Sequence, residues 1–520
     1  MGTNYFPEII TGRLPRRPAQ APPTEVDFLQ PKEGEIKLTR SGGIILHPTA
    51  IPSPYGAGDF GPGARHFIDF LASAGMSLWQ VLPLQQSAFD SPYDCVSSCA
   101  GNPLLISVDG LLEKKLLRKK PVLPNFPQNK LLYRRAISFK KKVLKEAFEN
   151  FKPDKDFEDF CGKNSAWLDD YCDFMTLTEK YGSPWTKWPA GLRMKCSEDM
   201  SRMRKNNVRR ITRHKFIQWV FFRQWEDLRG YAQKKGIKII GDMPMFVSRD
   251  SADVWAQREL FLLKKSGKPE FISGVPPDYF SKNGQTWGNP IYKWKTMKKK
   301  GFVWWKQRLG LAFQMFDFVR IDHFRGFYSY WKIPAGRKTA KSGKWARVPG
   351  LELFAELKKT FNFTPVIAED LGYIPKPVKK FRMKLGFPGM KILQFAFSGG
   401  PKNHFLPANY ERNCVVYTGT HDNDTLLGWY SSISDYRKRI VRKNLGEVTD
   451  INSQMMEFAM RSKAAFALFP MQDILSLGSK ARFNMPGTWR GNWKWRMGED
   501  EIPFNKAARL KKLCRLTRRY

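Results

Sequence analysis

The sequence predicts a (β/α)8 TIM barrel with a helical insertion after its second strand and a long loop after its third. Eight short apolar segments alternate with segments of helical periodicity along the 520 residues, which favours a parallel sheet covered by helices. Neither GxGxxG after the first strand nor GxxxxGK[ST] occurs, so phosphate-cradling nucleotide folds are disfavoured. Barrels with insertions can exceed about 400 residues as one unit.

Each predicted strand is a short apolar run, as expected of parallel strands that are covered on both faces. The strands are predicted, in order, at 42–47, 78–84, 236–242, 318–322, 365–370, 391–397, 414–418 and 465–471. Between them, apolar residues recur at the spacing of amphipathic helices. The flanking helices are predicted at 64–74, 212–235, 304–316, 351–360, 378–385 and 455–463.

The chain divides into five predicted units by changes in composition and periodicity. Two amphipathic helices with basic exposed faces, at 129–151 and 163–181, interrupt the barrel pattern and predict an inserted helical subdomain. The units are a proline-rich N-terminal arm (1–40), the first two strands (41–103), the helical insertion (104–205), the remaining barrel with a long loop at 243–300 (206–505), and a basic C-terminal tail (506–520).

The formal net charge is +40, from 88 Lys and Arg against 48 Asp and Glu. Such an excess can indicate a nucleic-acid partner or an anionic surface. The basic residues are dispersed, however, and no zinc-finger, RNA-recognition or basic-zipper pattern accompanies them. We therefore expect a solvated basic surface with incidental polyanion affinity and no specific nucleic-acid partner.

Cysteine usage and hydropathy predict a cytoplasmic protein without a membrane partner. The seven cysteines are scattered, and Cys95 and Cys99 have no matching pair of Cys or His, so a zinc site is not expected. The N-terminus has no apolar core of signal-peptide length, and no run of roughly 18 apolar residues occurs. The sequence does not indicate an oligomeric state.

Four acidic residues fall at the predicted carboxyl ends of strands, namely Asp242, Asp322, Glu369 and Asp422. These ends share one rim of a barrel, so the four side chains are expected to converge there. Arg320 and Asp322 lie on one face of their strand, and the Arg favours the ionised carboxylate that a nucleophile requires. An isolated Arg-x-Asp pair is more often structural, but four acids at strand ends favour a catalytic site.

Paired carboxylates without a metal cluster suit glycoside cleavage, which needs one acid and one nucleophile or base. Metal-assisted hydrolysis is the competing interpretation, but it usually requires several His ligands. His323 and His421 are the histidines beside these acids, and both are better explained as donors to sugar hydroxyls. We therefore expect no metal and no cofactor.

An ordered set of motifs resembles the 4-α-glucanotransferases, the amylomaltases or disproportionating enzymes of glycoside hydrolase family 77. The resemblance covers residues from about 41 to 497. The motifs are HPTAIPSPYGAGDFG (47–61), DSPY (90–93), AGNP (100–103), GDMPMFV (241–247), GVPPDYFSKNGQTWGNP (274–290), VRIDHFRGF (319–327), IAEDLG (367–372), GMKILQFAF (389–397) and YTGTHDNDT (417–425).

The resemblance implies transfer of α-1,4-glucan segments from a maltooligosaccharide, starch or glycogen chain to the 4-OH of another glucan or glucose. It implies that Asp322 is the nucleophile and forms a β-glucosyl ester, and that Glu369 is the general acid and then the base. Asp422 would hold the distorted glucose ring. This retaining route predicts carboxyl groups of Asp322 and Glu369 roughly 5–5.5 Å apart.

A wider set of residues is predicted to bind the substrate, of which Asp242, Arg320 and His421 are implied by the resemblance. Aromatic residues of the 243–300 loop, on the acceptor side, would supply a stacking platform and exclude water. The substrate-binding residues are Tyr55, Asp242, Tyr279, Phe280, Trp287, Arg320, Phe395, His421 and Asn492. Two positions depart from the family pattern. Phe89 stands where the family usually has a Tyr that makes a donor-side contact. Ser398-Gly399 stands where an acidic residue often occurs on the acceptor side.

Two other function classes compete with this interpretation. An α-amylase-type hydrolase is disfavoured because no His follows Asp242 within the next few residues, Met243 to Val247. A non-enzymatic basic protein that binds nucleic acid or glycan is disfavoured because the acids Asp322, Glu369 and Asp422 are all present.

Overall fold

A computed structural model of the chain describes residues 38–88, 90–277, 281–362, 364–488, 490–498 and 501–520. Most of the predicted N-terminal arm, residues 1–37, lies outside the described residues, as do Phe89, Tyr279 and Phe280.

The described residues form a closed barrel of eight parallel strands, which confirms the predicted fold. The strands of the chain are β1 (Ser41–Ile45), β2 (Leu78–Gln80), β3 (Lys238–Met243), β4 (Phe271–Val275), β5 (Gln285–Pro290), β6 (Phe318–Ile321), β7 (Ser329–Pro334), β8 (Lys344–Arg347), β9 (Val366–Ala368), β10 (Gly389–Ile392), β11 (Cys414–Tyr417) and β12 (Phe466–Pro470). The barrel order is β1-β2-β3-β6-β9-β10-β11-β12, and β12 pairs with β1 to close it.

Alternate residues of the barrel strands pack into two different apolar cores. Ile240 and Phe318 belong to the core inside the barrel, whereas their neighbours Ile239 and Val319 pack outward with the surrounding helices. Side chains of a strand point to opposite faces in turn, and here both faces are buried. This double burial explains the continuous apolar runs in the sequence.

The sixth barrel strand begins and ends earlier than predicted. β10 starts at Gly389, where an added Cβ would lie 2.5 Å from the Asp370 carboxylate, and the Met390 N–H donates to Asp370. A 3-10 turn over Leu393–Phe395 follows the strand. Phe395 therefore lies in a turn beyond the strand and not within it.

Helices surround the barrel and fill the region between β2 and β3. The long helix α8 packs against α1, α3, α4 and α5. The helices are α1 (Pro62–Ser73), α2 (Val108–Glu113), α3 (Tyr133–Glu149), α4 (Lys155–Lys163), α5 (Ser165–Tyr181), α6 (Ala190–Arg193), α7 (Ser197–Lys205), α8 (Val208–Lys234), α9 (Ala252–Ala256), α10 (Trp294–Lys299), α11 (Val303–Met315), α12 (Gly350–Phe361), α13 (Lys376–Lys384), α14 (Leu426–Ser432), α15 (Asp435–Leu445), α16 (Ile451–Arg461), α17 (Met471–Ile474) and α18 (Phe504–Leu516). The unit boundaries at 104 and 205 stay a prediction.

The region after β3, predicted as a long loop, contains regular structure. β4 and β5 lie within it and join β7 and β8 in a four-stranded antiparallel sheet with the order β5-β4-β7-β8. The residues of β5 and β8 are largely exposed, so these strands lack the buried-face alternation by which strands are predicted.

The predicted basic tail at 506–520 is part of the folded structure and not a free tail. Helix α18 packs against α1 and α16 and buries Leu510 and Cys514. Arg519 is fully buried and donates to main-chain carbonyls that include those of Met460 and Ala465. Among the described residues, none of the helices combines the length and hydropathy needed to cross a membrane.

Candidate active site

The carboxyl ends of β3, β6, β9 and β11 bring the predicted acids to one rim. Asp242 is on β3 opposite Arg320 of β6. Asp322 follows β6 directly, and Glu369 follows β9. Asp422 lies in the loop between β11 and α14. Parallel strands in register therefore place these residues at the mouth of the barrel, where barrel enzymes carry their active sites.

Arg320 joins two of the acids. It is 3% exposed, and its Nη1 lies 2.7 Å from both carboxylate oxygens of Asp242. Its Nη2 donates to Asp322 Oδ1 at 3.0 Å. Burial lowers the pKa of Arg320, but Asp242, Tyr93 and Asp322 outweigh burial and raise the pKa well above its usual value. The rim therefore holds a permanent cation beside Asp322.

Glu369 has different surroundings. Its Oε2 accepts from the His323 N–H at 2.8 Å, and its Oε1 accepts from the Leu371 N–H at 2.8 Å. Burial, and next the charge of Asp322, raise the pKa of Glu369 to about 7, although Arg320 and the Leu371 N–H oppose the rise. Glu369 therefore holds a proton near neutrality and can donate it.

The turn after Asp322 links the two carboxyl groups. His323 has a φ of 50° in the left-handed region, which non-glycine residues adopt rarely. In this conformation its main-chain N–H donates to Glu369, one residue away from Asp322. Burial lowers the pKa of its imidazole to about 4, so the ring is neutral. The Trp287 ring packs edge-on against this imidazole, with 4.8 Å between the ring centroids.

Asp422 is oriented by a second group of side chains. Asn484 Nδ2 donates to its Oδ1 at 2.6 Å, and His421 Nε2 lies 3.3 Å from its Oδ2. Arg482 donates to the Asp422 main-chain carbonyl at 2.7 Å. Burial would raise the pKa of Asp422, but His421, Asn484 and Arg320 together lower it. Asp422 is therefore a carboxylate throughout the neutral range.

Tyr93 completes the site and was not among the predicted residues. Its hydroxyl donates to Asp242 Oδ2 at 2.6 Å and lies 2.9 Å from His421 Nε2. Because the single phenol proton is given to Asp242, the Tyr93 oxygen accepts from His421, whose Nε2 then carries a hydrogen. Burial raises the pKa of Tyr93 well above its usual value. The DSPY motif places this Tyr in the loop after β2, at the same rim. It is the sequence signal from which Tyr93 could have been predicted.

Trp287, Phe395 and Asn492, three further residues predicted to bind the substrate, have different surroundings. Trp287 and Phe395 are 37% and 40% exposed, and Phe395 packs on Phe405. The Asn492 side chain bonds to the main chain of Met485 and Thr488.

Tyr55 was predicted to bind the substrate, but its hydroxyl is not bonded to any of the four acids of the rim. It is 1% exposed, and its hydroxyl donates to Asp109 of α2 at 2.5 Å. The prediction for Tyr279 and Phe280 concerns positions outside the described residues.

The described residues contain no group of three or more His, Cys, Asp or Glu side chains arranged to hold a metal ion. A parallel barrel whose mouth holds Asp322 beside a cation and a second carboxyl group with a pKa of about 7 has the pair of carboxyl groups typical of enzymes that act on glycosidic bonds.

Comparison with known proteins gives the family. Residues 46–500 match the family described as 4-alpha-glucanotransferase of glycoside hydrolase family 77. The 4-alpha-glucanotransferase of Thermus thermophilus is 44% identical over 93% of this chain and 100% of the relative. That of Aquifex aeolicus is 44% identical over 89% of this chain and 96% of the relative. The amylomaltase from Streptococcus agalactiae, solved in complex with acarbose, superposes with a TM-score of 0.89 at 34% identity and covers 92% of this chain and 100% of that one.

The chain belongs to the 4-α-glucanotransferase family, the amylomaltases. Its activity is the transfer of α-1,4-glucan segments, as the sequence predicted, and the hydrolase and non-enzymatic alternatives are set aside.

Proposed function

We propose that the chain transfers glucan segments by a retaining double displacement in which Asp322 is the nucleophile and Glu369 the acid and base. Asp322 attacks the anomeric carbon while Glu369 protonates the departing glycosidic oxygen. A β-glucosyl ester of Asp322 forms, and the leaving chain departs with the proton. Glu369 then takes the proton from the 4-OH of an acceptor glucan, whose oxygen displaces Asp322. The ester bond is replaced by a new α-1,4 bond.

The observation that carries this proposal is the contrast between the two carboxyl groups. Asp322 accepts from the buried Arg320 guanidinium at 3.0 Å, and the Asp322 side chain is 34% exposed at the mouth of the barrel. Glu369 accepts from the main-chain N–H groups of His323 and Leu371 and has a pKa of about 7, which suits a proton donor. Two carboxyl groups with different surroundings are what a double displacement requires.

Further roles follow from the same contacts. Asp422 is proposed to bind hydroxyls of the distorted ring and stabilise the positive charge of the transition state, since its pKa is lowered and its side chain is 43% exposed. The Asp242 side chain is fully buried and is bonded to Arg320 and Tyr93. Asp242 is proposed to bind the same ring through these two partners. Exposed Trp287 and Phe395 are proposed to stack on the acceptor chain.

The substrates are proposed to be maltooligosaccharides and longer α-1,4-glucans. A relative with a TM-score of 0.89 was solved with acarbose, and the paired acids of this chain fit a sugar of that kind. No specific nucleic-acid partner is proposed.

Incubation with maltotriose tests this function. The unmodified protein is expected to release glucose and to form a ladder of longer oligosaccharides, whereas glucose as the sole product would contradict transfer. Asp322→Asn should lower kcat/KM by at least about 10³-fold, as removal of a nucleophile does in other enzymes. Asp317→Asn is the matched control, because Asp317 precedes the same strand and accepts from the Ile239 N–H at 2.8 Å.

A further inference from the structure

Asp473 is a buried acid that the proposed reaction does not use. It lies on the short helix α17, directly after β12, and is 1% exposed. Its Oδ2 accepts from the Thr418 hydroxyl at 2.8 Å, and its Oδ1 accepts from the Leu426 N–H at 2.8 Å. Thr418 follows β11, and Leu426 begins α14. Both carboxylate oxygens are therefore bonded to the two ends of one loop.

That loop, residues 418–426, carries His421 and Asp422 between its two bonded ends. A small cavity lies against this loop and is lined by His47, Thr420, His421, Asn423, Asp424 and Gln472, among others. The two bonds to Asp473 lie where the loop leaves β11 and where it enters α14.

A carboxylate suits this position better than any other side chain of its size. Thr418 and Leu426 both present donors to it, and a carboxylate offers two accepting oxygens. An asparagine can keep the bond from Leu426 only by turning its NH2 group toward Thr418, whose hydroxyl oxygen then accepts in place of donating. The substitution therefore removes the stronger, charge-assisted bond from the Thr418 hydroxyl to the carboxylate.

The presence of this acid is not explained by an ion pair. The charged neighbour that acts on it is Asp424, which is also an acid. Burial, with a smaller contribution from Asp424, raises the pKa of Asp473 to about 7, while the bonds from Leu426 and Thr418 oppose the rise. A buried carboxyl group without a basic partner is costly to fold, and the two hydrogen bonds from Thr418 and Leu426 offset part of that cost.

We infer that Asp473 is a positioning residue that ties both ends of the 418–426 loop and so aligns Asp422 with the sugar ring. This inference rests on the role proposed for Asp422. Thr418 shares the task, because its hydroxyl makes one of the two bonds. We place neither Asp473 nor Thr418 in contact with the substrate.

The test measures acarbose affinity by calorimetry together with kcat/KM on maltotriose. Affinity is informative because a variant that is merely less folded loses active molecules but keeps the dissociation constant of the remainder. Asp473→Asn is expected to raise the acarbose Kd and to lower kcat/KM, each about 10-fold, the size of one lost buried hydrogen bond. Thr418→Val should act in the same direction, and Thr418→Ser, which keeps the hydroxyl, should bind acarbose like the unmodified protein.

Asp450→Asn is the matched control. Asp450 also accepts one main-chain N–H and one hydroxyl, both from Ser453 in the first turn of α16, but it binds no residue of the site. Its acarbose Kd should stay within about twofold of the unmodified protein. If Asp473→Asn and Thr418→Val both bind acarbose with unchanged Kd, the inference is wrong. If Asp473→Asn does not fold, the acarbose Kd of Thr418→Val alone tests the inference.

Asp422→Asn separates this inference from the proposed role on which it rests. If Asp422→Asn loses acarbose affinity and Asp473→Asn does not, only the positioning role is overturned. If Asp422→Asn binds acarbose normally, the role of Asp422 fails, and the inference about Asp473 fails with it.

Discussion

The proton on Glu369 is the feature of the site that depends most on individual contacts. The side chain is partly buried, accepts from two main-chain N–H groups and faces the charge of Asp322. Desolvation and a like charge both favour the neutral acid. A surface Glu would be ionised at neutral pH and could not protonate a leaving group there.

The proton on Glu369 predicts the alkaline side of the pH profile. With maltotriose, kcat/KM should fall as the pH rises through about 7, because the general acid then loses its proton. Glu369→Gln should lower this activity about 10²- to 10⁴-fold. With α-maltosyl fluoride, whose leaving group needs no proton, release of fluoride by the same variant should show no such decline. A decline that persists in Glu369→Gln would assign the titration to another group.

Single residues of the site were predictable where a strand fixes them. Asp242, Asp322 and Glu369 end apolar runs, and the barrel then brings them together. Tyr93 and Asn484 come from loops, and their contacts with Asp242 and Asp422 depend on loop paths that no periodicity encodes. Arg320 was predicted as a partner of Asp322, but its bond to both oxygens of Asp242 needs the strand register as well.

At the scale of elements, the turn after β6 joins Asp322 and Glu369, the proposed nucleophile and acid, through the backbone of His323. Its left-handed conformation directs the N–H to Glu369. Asn tolerates this conformation, whereas a β-branched residue does so only at a cost of roughly 1–3 kcal/mol.

Two variants, His323→Val and His323→Asn, isolate the effect of the left-handed backbone at this position, because both remove the imidazole. His323→Val is expected to unfold more easily than His323→Asn by about 1 kcal/mol, and to lose more kcat/KM on maltotriose because the N–H to Glu369 is displaced. Denaturant titration and initial rates of glucose release measure the two effects. Equal stability and equal activity of the two variants would show that the turn is not strained.

Elements were predictable in proportion to how completely they are buried. The barrel strands, covered on both faces, produce continuous apolar runs in the sequence. The sheet of β4, β5, β7 and β8 was missed because much of it is exposed. Helix α18 was taken for a tail because its basic exposed residues outnumber the few that pack, among them Leu510 and Cys514.

The whole molecule carries a charge of +40, which the active site does not explain. Repulsion among so many cations opposes the compact state, and salt screens it. The melting temperature should therefore rise when NaCl is increased from about 20 to about 200 mM. The same comparison in an uncharged osmolyte separates screening from a general solvent effect. A melting temperature that stays constant or falls with NaCl would mean that the charges are spaced too widely to repel.

The proposed roles, in which Asp322 forms a covalent glucosyl ester while Glu369 donates and accepts the proton, can be tested by trapping. Glu369→Gln is incubated with α-maltosyl fluoride, which forms the ester without an acid, and the variant lacks the base that would remove it. Peptide mass spectrometry is expected to find one maltosyl group on the peptide that contains Asp322, and none in Asp322→Asn/Glu369→Gln. A maltosyl group on any other residue, or none under conditions that release fluoride, would contradict the mechanism.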